Sequence, residues 1–178
     1  MVFRRGGTLR NNDKWTYKGS KIEVVNFYRY LGVVFTPKLS WSKTFSCLTA
    51  QAKKAIFNII TYQKKFGKLC YEDNFKVFDS MTVPILCYGA EILGTSYNKL
   101  IESIQATFCK IFLRLTKNTP NSMALGECGR LPLQHIYMTR AVRYWTRLIH
   151  LENNRLPHQA YIRCSHLVIL TYRHVLPL

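Results

Sequence analysis

The hydrophobic positions along the chain change period once, near Pro37. Before it they alternate or gather in short aromatic blocks, and after it they recur at three, four and seven residues. Lys14-Trp15-Thr16-Tyr17 alternates with period two and reads as a strand. Gly19-Ser20 turns it towards a second strand over Ile22 to Asn26. The aromatic stretch Asn26 to Phe35 follows, with strand propensity throughout and Gly32 in its middle marking a bulge or a point of close backbone approach. Met1-Val2-Phe3 reads as a strand stub, and Gly6-Gly7 and Asn11-Asn12-Asp13 as turns. The segment resembles the edge of a small antiparallel sheet. Two or three strands alone are marginal in water, so this edge must pack on something.

The rest reads as helical. Phe45, Leu48, Ala52, Ile56, Ile59 and Phe66 form one apolar face of a helix over Ser40 to Phe66, and Gly67 suits its end. A second helix from Tyr71, buried through Phe75, Val77 and Phe78, is expected to continue past Pro84 with a kink. Glu91, in the apolar run that follows, reads as a paired structural carboxylate. A third helix, Asn98 to Leu115, turns Ile101, Ile104, Phe108, Ile111, Phe112 and Leu115 inward. After the break at Asn118 to Asn121 come a short helix over Ser122 to Leu125 and a long one from Leu133 to about Glu152. Leu133, Ile136, Tyr137, Ala141, Tyr144 and Leu148 mark its apolar side. Asn153-Asn154 ends it, Leu156 to Tyr161 starts a short helical piece, and the tail from Ser165 has no clear period. The fold class expected is α+β, mainly α: a small antiparallel β-hairpin element followed by a helical bundle.

Composition sharpens this picture through charge. In 178 residues, 26 Lys and Arg oppose 9 Asp and Glu, a formal charge of +17, and such self-repulsion calls for an anionic partner, nucleic acid first. Lys53, Lys54, Lys64 and Lys65 form two pairs about three turns apart, a spacing that can present a basic ridge on the first long helix. Arg140, Arg143 and Arg147 fall three and four apart beside Trp145, an arrangement suited to phosphate contacts with an aromatic for stacking. For Trp145 itself a place in the core is the stronger expectation. A membrane surface ranks last as a partner, because the lysines are spread over several helices.

The chemistry of catalysis is thin. Six cysteines, at 47, 70, 87, 109, 128 and 164, sit singly in apolar segments without a CxxC pair, as expected for reduced, buried thiols in an intracellular protein of nucleus or cytoplasm. No apolar leader follows Arg4 and Arg5, so the chain is not expected to be secreted, and the run Met81 to Leu93 is too short to span a membrane. The adjacent acids Glu72-Asp73 read as helix-start residues rather than metal ligands. No nucleotide-binding loop, nucleophile elbow or HExxH occurs, and the five histidines have no interpretable Ser or Cys partner. No catalytic residue and no metal site is expected in this chain.

One ordered series of residues resembles a known family. Val2-Phe3, Phe27-Tyr28-Arg29-Tyr30-Leu31-Gly32, Gln51-Ala52-Lys53-Lys54-Ala55 and Val83-Pro84-Ile85-Leu86-Cys87-Tyr88-Gly89-Ala90-Glu91 come first. Ile101-Glu102-Ser103-Ile104-Gln105, Phe108-Cys109-Lys110, Gly126-Glu127-Cys128-Gly129-Arg130-Leu131-Pro132-Leu133 and Arg143-Tyr144-Trp145 follow. Together they resemble the C-terminal palm end and thumb of a non-LTR (LINE-type) retrotransposon reverse transcriptase, from Met1 to about Tyr161. The resemblance implies palm-end strands with a primer-grip-like hairpin over 1–37, a thumb-like helical bundle over 38–118 and a post-thumb helical segment over 119–164. The tail 165–178 is left unassigned.

It further implies that Phe27, Tyr28, Tyr30, Leu31 and Gly32 position a DNA primer on an RNA template. Lys53, Lys54, Lys64 and Lys65, with Arg140, Arg143 and Arg147 as a weaker group, would hold the backbone of the duplex. The catalytic carboxylates of such an enzyme, with the Mg2+ they would bind, are expected upstream of Met1 in a palm and fingers that act as partners. The chain is therefore expected to be a fragment of a polymerase and not to polymerise alone. The rival readings are a stand-alone basic helical RNA- or DNA-binding domain and a protein-interaction module derived from such an element.

Overall fold

The computed structural model describes residues 2–3, 15–67, 69–93 and 98–173, the side chains of 164 and 166–173 excepted. The turn signals at Gly6-Gly7 and Asn11 to Asp13, residue Lys14, and the side chains of Cys164 and His166 lie outside it. Among the described residues four short strands lead into eight helices: β1 (Thr16–Tyr17), β2 (Ser20–Lys21), β3 (Tyr28–Tyr30), β4 (Val33–Phe35), α1 (Ser42–Phe66), α2 (Tyr71–Met81), α3 (Val83–Leu86), α4 (Ala90–Leu93), α5 (Lys99–Phe112), α6 (Asn121–Glu127), α7 (Gln134–Ile149) and α8 (Leu156–Arg173). The fold is mainly α with small antiparallel hairpins, as the hydrophobic pattern predicts. The chain groups into two compact units, Met1–Gly89 with Tyr97–Leu133, and Ala90–Ser96 with Gln134–Leu178.

In the first unit the strands form two separate antiparallel pairs, β1 with β2 and β3 with β4, rather than one sheet. Ile22 to Asn26 is not a strand, because the β1 turn falls one residue earlier than expected, at Lys18-Gly19, and the short β2 is over by Lys21. Val2 and Phe3 join no ladder, although the Phe3 ring meets Phe35 edge-on at 6.4 Å. Gly32 is the second residue of a two-residue hairpin loop and not a bulge, since Tyr30 pairs directly with Val33.

Helix α1 buries Phe45, Leu48, Ala52, Ala55, Ile56 and Ile59, the face the periodicity predicts. Its last predicted core residue, Phe66, is 63% exposed and stacks on Tyr62 instead. The second helix is not continuous through Pro84. It stops at Met81, Thr82 intervenes, and Pro84 occupies the first turn of α3, where its missing N–H breaks no hydrogen bond. Cys70, expected to be buried, is exposed and caps α2, its Sγ accepting the Asp73 N–H. Glu72 and Asp73 lie in that first turn, favourable to the helix dipole, within 3.8 and 3.7 Å of the Lys76 ammonium. Asn98 caps α5 by accepting the Leu100 N–H at 2.8 Å.

An aromatic cluster joins α2 to α5, where Phe78 stacks on Phe108 at 4.3 Å and Phe75 meets Phe108 edge-on at 5.5 Å. Offset and edge-on pairs of this kind add to the free energy of burial. The segment after α6 clasps this core. Tyr71 donates to the Cys128 carbonyl at 2.7 Å, Gln105 to the Leu131 carbonyl at 3.0 Å, and the Leu133 N–H to Glu102 at 3.0 Å. Arg130 forms a bidentate pair with Asp79 while its guanidinium lies 5.3 Å over the Phe75 ring. The Gly126 to Leu133 motif is thus a structural closure.

In the second unit α4 packs along α7, and α8 begins by placing the His158 ring 2.9 Å from the Leu148 carbonyl. Helix α8 runs well past the short piece predicted at Leu156 to Tyr161. Two expectations for side chains in this unit are corrected. Glu91 is exposed on a four-residue helix whose Ala90 and Leu93 turn inward, so it is a surface carboxylate and not a structural one. Trp145 is 51% exposed and is not a core residue, because the inward side of α7 is taken by Tyr137.

Candidate nucleic-acid interface

The site is built on the β3–β4 hairpin. Leu31 (φ +46°) and Gly32 (φ +84°) both adopt positive φ, the condition for the tight turn that matches strand twist in a two-residue loop. Leucine disfavours that region by about 1–2 kcal/mol, and the tip is held by two contacts. The Tyr88 hydroxyl donates to the Leu31 carbonyl, and a Cβ at Gly32 would lie 3.2 Å from Tyr88 Cε1. At the other end, the fully buried Thr44 of α1 docks the outer edge of β4. Its Oγ accepts the Val34 N–H and donates to the Val34 carbonyl, each at 3.0 Å. Both polar groups of Val34 are thereby satisfied inside the fold, which they must be.

Anchoring β4 leaves β3 outward. Phe27, Tyr28, Tyr30 and Leu31 are 55–72% exposed, while Val33 and Val34 beneath are buried. Cations stand next to this aromatic row. The Lys43 ammonium lies 4.4 Å over the Phe27 ring, and Arg29 lines a groove of about 300 Å³ together with Gly32, Leu48, Gln51, Ile85 and Tyr88. An exposed aromatic row beside cations can stack on bases or sugars while the cations meet phosphates.

The predicted lysines continue from the hairpin along α1. Lys53, Lys54, Lys64 and Lys65 are all exposed. At 3.6 residues per turn, Lys53 aligns with Lys64 and Lys54 with Lys65, giving two rows on either side of the exposed Phe57 and Thr61. The ridge predicted from sequence is therefore a broad basic face, whose two pairs are separated by about 16 Å along the axis. Hairpin and lysines belong to one compact unit, and the arginines to the other. Arg143 and Arg147 are exposed, but Arg140 is half-buried and engaged with a neighbour. The three share one side of α7, whereas Trp145 points to nearly the opposite side, so the predicted arginine–tryptophan platform does not form.

Two residues that hold the site went unmarked in the sequence reading, Thr44 and Tyr88. A threonine inside the apolar face of a helix was the available signal for the first. Nothing local distinguishes the second.

Burial pushes the Cys109 thiol up to about 12, with the adjacent Cys128 adding to the effect, and burial raises Cys128 as well. Thiols so held stay protonated and are poor nucleophiles. The Arg130 guanidinium is held more firmly protonated by its hydrogen bonds to Asp79. Among the described residues no group of three or more His, Cys, Asp or Glu converges. Nor is any described helix long and apolar enough to cross a membrane. No family model, curated protein or solved structure matches the chain.

Proposed function

We propose that this chain grips a primer–template duplex by its backbone, as the palm end and thumb that it resembles do in non-LTR retrotransposon reverse transcriptases, and that it supplies no catalytic carboxylate of its own. The observation that carries this reading is the hairpin tip. An aromatic strand is held outward by Thr44 and Tyr88, beside a helix with four exposed lysines, in a chain of formal charge +17. On this reading Phe27, Tyr28, Tyr30, Leu31 and Gly32 position the primer terminus. Lys53, Lys54, Lys64 and Lys65 neutralise phosphates without reading bases. Arg143 and Arg147 form a lesser contact, and Arg140 supports their helix. Mg2+ and the carboxylates that bind it belong to a partner palm.

The test is the salt dependence of binding to an RNA–DNA hybrid, followed by fluorescence anisotropy. Releasing counterions from each neutralised phosphate gives a linear fall of log affinity with log salt. Replacing Lys53, Lys54, Lys64 and Lys65 together by Glu should weaken binding steeply and lower that slope by about 3–4. A salt-insensitive affinity, or one unaffected by the charge reversal, would exclude the reading. It would favour instead a protein-interaction module, to which the apolar character of Phe27 and Leu31 also lends itself.

A further inference from the structure

Helices α1 and α2 line a second concavity of the first unit, about 420 Å³ in volume. Asn58, Ile59 and Tyr62 come from one turn of α1, Val77 and Met81 from one turn of α2, and Leu69 from the segment between them. Small-ligand sites have this size and this make-up, an apolar wall with a few placed polar groups. The Tyr62 ring is backed by Phe66 at 4.6 Å, which holds it in place as part of the wall. The Asn58 amide is exposed and makes no hydrogen bond to any described residue, so its donor and its acceptor are both free for a ligand.

Shape and charge narrow the occupant. One helical turn is about 5.4 Å long, which admits a flat ring and is too short for an acyl chain or for a helix that docks through several turns. Lys54, Asn58, Thr61 and Lys65 succeed one another at four, three and four residues, one stripe of α1, and all are exposed. Asn58 belongs to both the stripe and the concavity. The pocket therefore opens beside one of the two lysine rows, where anionic groups collect. A strand whose phosphates rest on Lys54 and Lys65 passes its mouth, and an unpaired base of that strand can turn into it.

The chemistry of Asn58 selects the base. An amide gives one hydrogen bond and takes another, the complement of adenine, whose N6 amino group donates next to the N7 acceptor. Guanine offers two acceptors on that edge, and thymine or uracil has no amino donor. A purine also covers more of the apolar wall than a pyrimidine does, and an aromatic ring such as Tyr62 is a surface on which a base stacks. We propose that this pocket receives one unpaired adenine of the bound nucleic acid, stacked against Tyr62 and hydrogen-bonded by Asn58. The proposal rests on the reading that the α1 lysines hold a phosphate backbone. The lysines read no base, so the pocket adds a preference for where along a strand the chain settles.

Fluorescence anisotropy of the full chain tests this, with a fully paired RNA–DNA hybrid and with the same hybrid carrying one bulged adenosine, placed in each strand in turn. The expected result is binding about tenfold tighter for the bulged hybrid in one of the two arrangements, and loss of that gain when the bulged base is uracil or thymine. Asn58→Ala removes the amide, and Met81→Trp fills the concavity from its exposed rim. Each should abolish the preference while the paired hybrid stays bound within about twofold and the melting curve is unchanged, as expected of surface substitutions. Binding of the paired hybrid with no preference for the bulge would overturn the pocket and leave the duplex grip standing. A preference that survives either substitution, or adenosine monophosphate alone bound as tightly as the bulged hybrid, would also overturn it. Binding of neither hybrid would remove both readings.

Discussion

The two hairpins of the first unit share a design and differ in what surrounds it. Each has a two-residue loop whose second residue is glycine, Lys18-Gly19 and Leu31-Gly32, with all four residues at positive φ. A Cβ added at Gly19 would meet nothing within 4 Å, and every residue of β1 and β2 is exposed. At the second hairpin Tyr88 covers the tip and Thr44 satisfies the β4 edge. The turn sequence alone makes a hairpin. Only burial of one strand turns it into a platform that can hold aromatic side chains in fixed positions, since an isolated two-stranded ribbon is barely stable.

The sharpest way to break the contrast is Thr44→Val. It keeps the side chain's size while stranding the Val34 N–H and carbonyl in the interior, and should cost about 2–4 kcal/mol in denaturant unfolding. The first hairpin offers no equivalent target. Gly32→Ala comes next, at about 1–3 kcal/mol, because a strained φ and the crowding of Tyr88 act together. Gly19→Ala imposes the same strain on an exposed ribbon that can open locally, and its effect on global unfolding should stay within about 0.5 kcal/mol. Equal effects at the two glycines would erase the distinction. Tyr88→Phe removes a single hydroxyl and should cost about 1 kcal/mol, with faster amide exchange confined to the Tyr30–Val33 tip. Smallest of all, Tyr30→Ala and Tyr17→Ala should each change stability by less than about 0.5 kcal/mol. Of these two, Tyr30→Ala alone should weaken binding to an RNA–DNA hybrid.

What could be read from the sequence follows the range of the interactions involved. The faces of α1 and of most of α5 were legible because helical periodicity is local, although Ile111 and Leu115, read as inward, are exposed at the end of the second, and Gly67 and Asn98 mark helix ends by local chemistry. The failures are tertiary. Trp145 has the composition of a core residue, yet α7 has one inward side and Tyr137 occupies it. Phe66 continues the apolar period of α1 to a last turn where it stacks on Tyr62 instead. Glu91 reads as a structural carboxylate because its neighbours are apolar, but a four-residue helix exposes one side whatever its composition. At the site, the aromatic row and the lysines were legible as residue types. The docking of the hairpin depends on Thr44 and on Tyr88, the latter 57 residues beyond Leu31, and no local pattern encodes that meeting.

The central claim is that the docked hairpin, and not its free-standing twin, meets nucleic acid. Amide hydrogen exchange on the full chain, with and without a saturating RNA–DNA primer–template hybrid, tests it most directly. The account predicts slowed exchange across Phe27–Val33 and along the lysine-bearing stretch of α1, with Thr16–Lys21 unchanged. Equal protection of both hairpins, or protection of neither while the duplex is bound, would contradict it.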